Sequence, residues 1–221
     1  MDNTPCSASD RSNPFDSFPE PFAGPEVVSA PNGVSEWQSR YARVVAFQAA
    51  STRLVASLDW DVLLAETIQS ALDLFSADGV TIILPQNRLG EFYIAKSHHL
   101  PEKIVQTRRI KSDEGAVGWV ARQRQTLLMT SPAQVAQYNS VPDDQISSSI
   151  VAPLLIASNP SQDAFLGVIT LSRQLGKPLF TFLEVEESRL FCSQVAMALR
   201  NAQSYRQAQK RVAQSNNFTE I

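Results

Sequence analysis

"DEGAVGWVARQRQTLLMT", Asp113 to Thr130, holds two glycines, a short helical pattern and an apolar strand in one uninterrupted run. Gly115 and Gly118 come just ahead of Trp119. The helical spacing covers Asp113–Arg124, and "TLLM" then reads as a strand. The run contains no His, Cys or Ser to serve as a reactive partner. The glycines therefore let backbone come close to something: to another stretch of chain, as a packing hinge, or to a bound group. In the second case amides near a helix N-terminus favour an anion. Packing is the first reading and a ligand cradle the second. Asp113 and Glu114 read as N-cap and first-turn residues, because an acid/base pair needs a pocket that separates two pKa values.

Moving upstream, "GVTIILP" (Gly79–Pro85) is apolar and β-branched, as suits a strand covered on both faces. "EFYIAKSH" (Glu91–His98) returns from it across "QNRLG" to form a hairpin. Before this pair lie two helices. The first opens at Ser35 with the capping-box pattern "SEWQ". It carries Trp37, Tyr41, Val44, Gln48, Ser51, Val55 and Leu58 at alternating steps of four and three, a heptad seam weakened at Gln48 and Ser51. Asp59 caps the second, "WDVLLAETIQSALDLF", with Val62, Leu63, Ile68, Leu72 and Phe75 on its apolar side, and "SADG" stops it.

Downstream, "SPAQVAQYNSVPDDQIS" reads as a long irregular connection with one helical turn. "SSIVAPLLIAS" and "AFLGVITLSR" make a second hairpin. A final helix opens at "TFLE", with Thr181 as N-cap and Glu184 as its box partner. Leu190, Phe191, Val195, Leu199, Ala202 and Tyr205 continue its apolar stripe. Consecutive hairpins require an antiparallel sheet, so the class is α+β, with the first and last helices side by side on one face.

The chain has 221 residues, 43% hydrophobic and 19% charged, with net charge −3. That suits one domain with a core plus tails. Only "TRRIK" (Thr107–Lys111) and "QKRVAQ" (Gln209–Gln214) are basic, so neither nucleic acid nor a membrane is an expected partner. No apolar run is long enough for a membrane span, and the first residues do not form a signal peptide. Cys6 and Cys192 lie far apart and suggest no disulfide framework, which fits a reducing, cytoplasmic setting. Residues 1–34 are a Pro/Ser-rich arm expected to be disordered. Its Phe15, Phe18 and Phe22 contact nothing or act as docking points. Residues 35–208 form the domain with its flanking helices, and 209–221 a frayed tail.

"EGAVGWVARQRQTLLM", "SSIVAPLLI", "FLGVITLSR" and "FTFLEVEESRLFCSQVAMALRNAQSY" together resemble the GAF family of small-molecule-sensing domains. The match rests on Gly115 and Gly118, Ala152-Pro153-Leu154, Gly167-Val168-Ile169 and Ala198-Leu199-Arg200-Asn201-Ala202. It covers about Leu58 to Tyr205. The resemblance implies an antiparallel sheet with the N- and C-terminal helices on one face and a pocket of short helices and loops on the other. It also implies a non-enzymatic sensor. The cyclic-nucleotide motif of the family is missing, no Cys neighbours His98 or His99 for a bilin, and pocket-side cysteines for sulfoxide reduction are absent.

Candidate pocket residues are Glu114, Gly115, Gly118, Trp119, Tyr138, Ile150 and Ala152. No catalytic set, metal site or cofactor is assigned. His98-His99 reads as a solvated loop pair, since no further ligand stands at a supporting spacing. Cys192 reads as a small core residue. The expected partner is a small-molecule effector or a signalling protein. A homodimer is expected through the Trp37–Leu58 seam and the Val195–Tyr205 stripe. With no kinase, cyclase or DNA-binding segment after "NAQSY", action in trans is expected. The alternative is an assembly factor that keeps the fold and binds no small molecule.

Overall fold

The computed structural model describes residues 34–86, 90–138, 145–156 and 164–217, with side chains over 37–86, 90–138, 145–156 and 164–211. The arm with its three phenylalanines and most of the 139–144 connection lie outside this set. Twelve elements follow in chain order: α1 (Val34–Ala56), α2 (Trp60–Phe75), β1 (Gly79–Gln86), β2 (Glu91–Ser97), α3 (Glu102–Thr107), β3 (Arg109–Lys111), α4 (Gly115–Gln123), β4 (Leu127–Met129), α5 (Pro132–Tyr138), β5 (Ile146–Ile156), β6 (Ala164–Gln174) and α6 (Phe182–Asn217).

The strands make one six-stranded sheet in the order β3-β2-β1-β6-β5-β4, with every neighbouring pair antiparallel. The two hairpins meet at its centre, where β1 pairs with β6. Successive side chains along a strand alternate between faces, so each central strand serves two cores. On the helix side, Val80, Ile82, Leu84, Ile150, Ala152, Leu154, Ile169 and Leu171 pack with α1, α2 and α6. On the far side, Ile83, Val151 and Val168 join Ala116, Val117 and Val120 of α4. This is the α+β architecture expected from the hairpins, with a helix layer on one face and short helices on the other.

The helix ends follow their sequence signals closely at two places. Asp59 accepts from the amides of Asp61 and Val62 at 3.0 Å each and so caps α2. At the start of α6 the capping box closes in both directions. The Thr181 amide donates to Glu184 at 2.9 Å, and the Glu184 amide donates to Thr181 Oγ1 at 3.3 Å. Arg173 of β6 locks this corner. It donates to the carbonyl of Phe75 at 2.5 Å, to those of Pro178 and Leu179, and to Glu184 at 2.6 Å, and it lies over the Phe180 ring. The end of α2, the end of β6 and the start of α6 are thereby tied to one guanidinium.

Helices α1 and α6 lie side by side and run parallel. Arg43 pairs with Glu187, and four residues further along each helix Phe47 meets Phe191 edge-on at 6.4 Å. Ala50 and Leu54 of α1 are buried, whereas Trp37, Tyr41, Val44, Val55 and Leu58 stand in solvent. The heptad seam is thus the uncovered side of α1.

Three expectations change. Ser35 lies inside α1, which opens at Val34. Val62 is exposed and Leu64 takes its place in the core, because α2 presents Leu63, Leu64, Thr67, Ile68, Ala71 and Phe75 inward. Val195, Leu199 and Ala202 are wholly buried beneath the sheet, so most of that stripe is spent inside the domain and its last residue, Tyr205, is exposed. Among the described residues the uncovered large apolar positions of α6 are Phe182, Leu183, Leu190, Met197 and Tyr205, and Leu183, Leu190 and Met197 make a seven-residue repeat. Leu190 and Leu199 are nine residues apart, about two and a half turns, and so project to opposite sides. Among the described residues, no helix is long and apolar enough to cross a membrane.

Candidate functional site

A cavity of about 60 Å³ lies on the far face of the sheet, under α4 and α5. Strand alternation builds its floor. Val80 and Ile82 turn toward the helix layer, so Thr81 and Ile83 turn toward the cavity. The same parity sends Ile150 and Ala152 to the helix side and Ser149 and Val151 to the cavity. In β6 it sends Ile169 and Leu171 one way, Thr170 and Ser172 the other.

The hydroxyls fall into register. Thr81 of β1 stands opposite Thr170 of β6, and Ser172 of β6 stands opposite Ser149 of β5. They form a polar patch across the three central strands. Thr81 Oγ1 shares a hydrogen bond of 2.8 Å with Ser97. Ser149 Oγ donates to the Leu171 carbonyl at 2.8 Å, and Ser172 Oγ donates to the Gly79 carbonyl at 3.3 Å. Around the patch the walls are apolar: Ile83, Ile94 and Ile110 on one side, Met129 and Val151 on the other. Ala116 and Val117 of α4, with Val135 and Tyr138 of α5, close the top. His99 completes the polar end. Its ring lines the cavity, and a Cβ placed on Gly79 would overlap both His99 Nδ1 and Ser172 Oγ. The imidazole can sit on the sheet there because residue 79 has no side chain.

The opening glycines act at the rim. Gly115 adopts φ +59°, a left-handed conformation that turns the chain into α4. Gly118 brings α4 against the preceding segment, where a Cβ would lie 2.6 Å from the Ser112 carbonyl oxygen. Glu114 is the N-cap residue of α4 by backbone position but makes no side-chain cap bond. Its carboxylate pairs with Arg108 at 2.7 Å instead. Both partners are more than a third exposed, so this pair contributes little to stability. Asp113 is exposed. Trp119 is half-buried and packs on the far-side core.

Of the residues singled out from sequence, Tyr138 lines the cavity, as do Ala116 and Val117 between the two glycines. Ile150 and Ala152 do not line it; they belong to the helix-side core. Their strand reads as apolar on both faces, and only parity separates the two sets. His98 is exposed, but His99 is a wall of the cavity and no solvated loop residue. The residues missed are Thr81, Ser149, Thr170 and Ser172; the sequence signal is clear only in β6, where Thr170 and Ser172 are hydroxyls at alternate positions of an apolar strand. Cys192 lies in the helix-side core, away from the cavity, and burial pushes its thiol up to about 12. Among the described residues no cluster of His, Cys, Asp and Glu is grouped to hold a metal ion.

The fold is an antiparallel sheet with the terminal helices behind it and a lined hollow in front. The GAF domain model matches residues 59–199, most of the chain, and the chain belongs to the GAF family. Its fold is similar to that of the GAF domain of an Acinetobacter phosphoenolpyruvate-protein phosphotransferase, with TM-score 0.63 at 15% identity over 74% of this chain and 95% of that one. It is also similar to free methionine-R-sulfoxide reductase from Neisseria meningitidis, with TM-score 0.61 at 14% identity over 80% and 96%. A third likeness is to the GAF-B domain of DevS from Mycobacterium smegmatis, with TM-score 0.52 at 22% identity over 64% and 93%. At these identities the likenesses concern the fold alone. A search of curated protein sequences returns no significant match. GAF domains are as a class sensory, regulatory and non-catalytic, and the family match gives this chain that general role.

Proposed function

We propose that this chain is a regulatory module that binds a small molecule in the far-face cavity and reports occupancy through α1 and α6. The observation that carries the reading is the cavity itself: a hollow with a hydroxyl floor, built on the strands whose other face holds the helix layer. A ligand there touches Thr81, Ser149 and Thr170, whose chain neighbours Val80, Ile82, Ile150, Ile169 and Leu171 bear on the helices. A small shift of the floor is felt at once by the helix side, because close-packed interiors transmit displacement. The ligand acts through its differential affinity for two packings of that layer.

The module works as a homodimer in this reading. The uncovered seam of α1 (Trp37, Tyr41, Val44, Val55), continued by Leu58 just beyond its end, and the uncovered repeat of α6 (Leu183, Leu190, Met197) sit on neighbouring parallel helices. Such strips favour pairing with an equivalent surface.

Mass spectrometry of the purified protein under denaturing conditions tests the binding claim. A small molecule released at one per chain, and lost when Ala116→Leu fills the cavity, is the expected result. A protein clean of small molecules in both forms, even after exposure to cell extract, favours an assembly factor that retains the fold without a ligand.

A further inference from the structure

The hydrogen-bond direction on the cavity floor restricts the chemistry of what the cavity takes, an inference that rests on the small-molecule reading above. A serine hydroxyl has one proton and two lone pairs. Ser149 and Ser172 each direct that proton to a strand carbonyl, Leu171 and Gly79 respectively, and a carbonyl can only accept. What these two hydroxyls have left for the cavity is lone pairs. They stand opposite each other across β5 and β6, so the acceptors are adjacent. One row further on, Thr81 already shares its hydrogen bond with Ser97.

No Lys, Arg, Asp or Glu is among the described residues lining the cavity; its titratable groups are the His99 imidazole and the Tyr138 phenol. Against a neutral imidazole an ionised ligand group would lose its hydration without gaining a counter-charge, which is costly. A carboxylate would also set its own lone pairs against those of the two serines. A water position needs about 10–15 Å³ of such volume, so the cavity has space for about four to six water-sized groups. We infer that the ligand is a small uncharged molecule with an apolar body and a hydrogen-bond-donating head, such as a primary amide or an alcohol, and that carboxylates of the same shape are rejected.

Isobutyramide and isobutyrate match in shape and differ in whether the head donates. Each is titrated at pH 8 into isotope-labelled protein, with the amide resonances of Ser149, Val151 and Ser172 as the readout, and xenon serves as a headless probe of the same space. The expected result is saturable binding of isobutyramide at least tenfold tighter than isobutyrate. The preference should fall at least threefold in the Ser149→Ala/Ser172→Ala double variant, the remainder being the cost of leaving the carboxylate charge uncompensated. Isobutyrate binding as tightly as isobutyramide, or a preference unchanged in the double variant, overturns the inference. If xenon shifts these resonances but the two organic probes do not differ, the cavity reading survives and the donor-head inference falls. If neither xenon nor either probe moves them, both fall.

Discussion

At Gly118 the space that a side chain would need is taken by the Ser112 carbonyl oxygen, 2.6 Å from the position of a Cβ. Two effects of opposite sign meet there. Alanine is the better helix former by about 0.8–1 kcal/mol, while forcing an extra carbon against backbone costs about 1–3 kcal/mol. The oxygen belongs to the main chain and cannot rotate away, so the clash wins. Gly118→Ala should therefore lower stability by up to about 2 kcal/mol, seen as a lower urea midpoint at unchanged slope. A neutral or stabilising outcome would mean that the glycine serves something other than packing. A tight backbone approach was readable from two glycines within one short helical pattern, and it is seen at Gly118. Which residues reach the cavity was not, because nothing in "SSIVAPLLI" says which of Ile150 and Val151 faces inward. The polar clue was partial: Thr170 and Ser172 alternate on the cavity face of β6, but in β5 Ser149 faces the cavity while its neighbour Ser148 accepts from the Phe180 amide instead. His99 escaped for another reason. Its position depends on Gly79, twenty residues earlier, leaving room on the sheet.

Among the elements, the corner of β6, α2 and α6 depends on one buried ion pair. Burial by itself would raise the Glu184 carboxyl. The Thr181 amide, the Arg173 guanidinium and the Thr181 hydroxyl together outweigh it and hold the group below the usual carboxylate range. A carboxyl lowered in the folded state adds stability above its unfolded pKa, and that contribution is lost as pH falls through the folded value. Stability should thus decline below the ordinary glutamate value of 4.5. The decline should be shallower in Glu184→Gln, measured by urea midpoints across the acid range. Removing the cation is more severe. Arg173→Met leaves the Glu184 carboxylate buried without its guanidinium and strands the Phe75 carbonyl, and should cost about 3–5 kcal/mol. A loss under about 1 kcal/mol would show that the corner holds without the pair. The capping signals at Asp59 and Thr181 were legible because they are local: three or four residues suffice to state them. Helix α3 and strand β3 were not legible. Glu102–Lys111 is polar and short, and β3 is a three-residue edge whose pairing with β2 comes from tertiary placement.

For the molecule as a whole, the open question is what covers the outer side of the helix layer. Trp37, Val44, Leu183 and Leu190 are each more than 60% exposed, which is unusual for large apolar side chains set in register. The sequence repeat marked apolar residues of α1 that do stand in solvent, but in α6 it picked out Val195, Leu199 and Ala202, which the sheet consumes. Both stripes obey helical spacing, and only the direction of the sheet tells them apart. In sedimentation experiments the protein should run as a dimer, and Leu190→Glu, which places a charge on the strip without touching the core, should convert it to a folded monomer. A wild-type protein that sediments as a monomer at all concentrations removes the pairing.

The central claim is that one sheet couples a cavity on its far face to the helices on its near face. Amide hydrogen exchange along α6, compared between wild type and Ala116→Leu, tests it without any knowledge of the ligand, since the added carbons occupy the cavity in its place. The account predicts altered protection over Val195–Ala202, on the opposite side of the sheet from the substitution. Changes confined to α4, α5 and the cavity floor, with α6 exchanging as before, would contradict it.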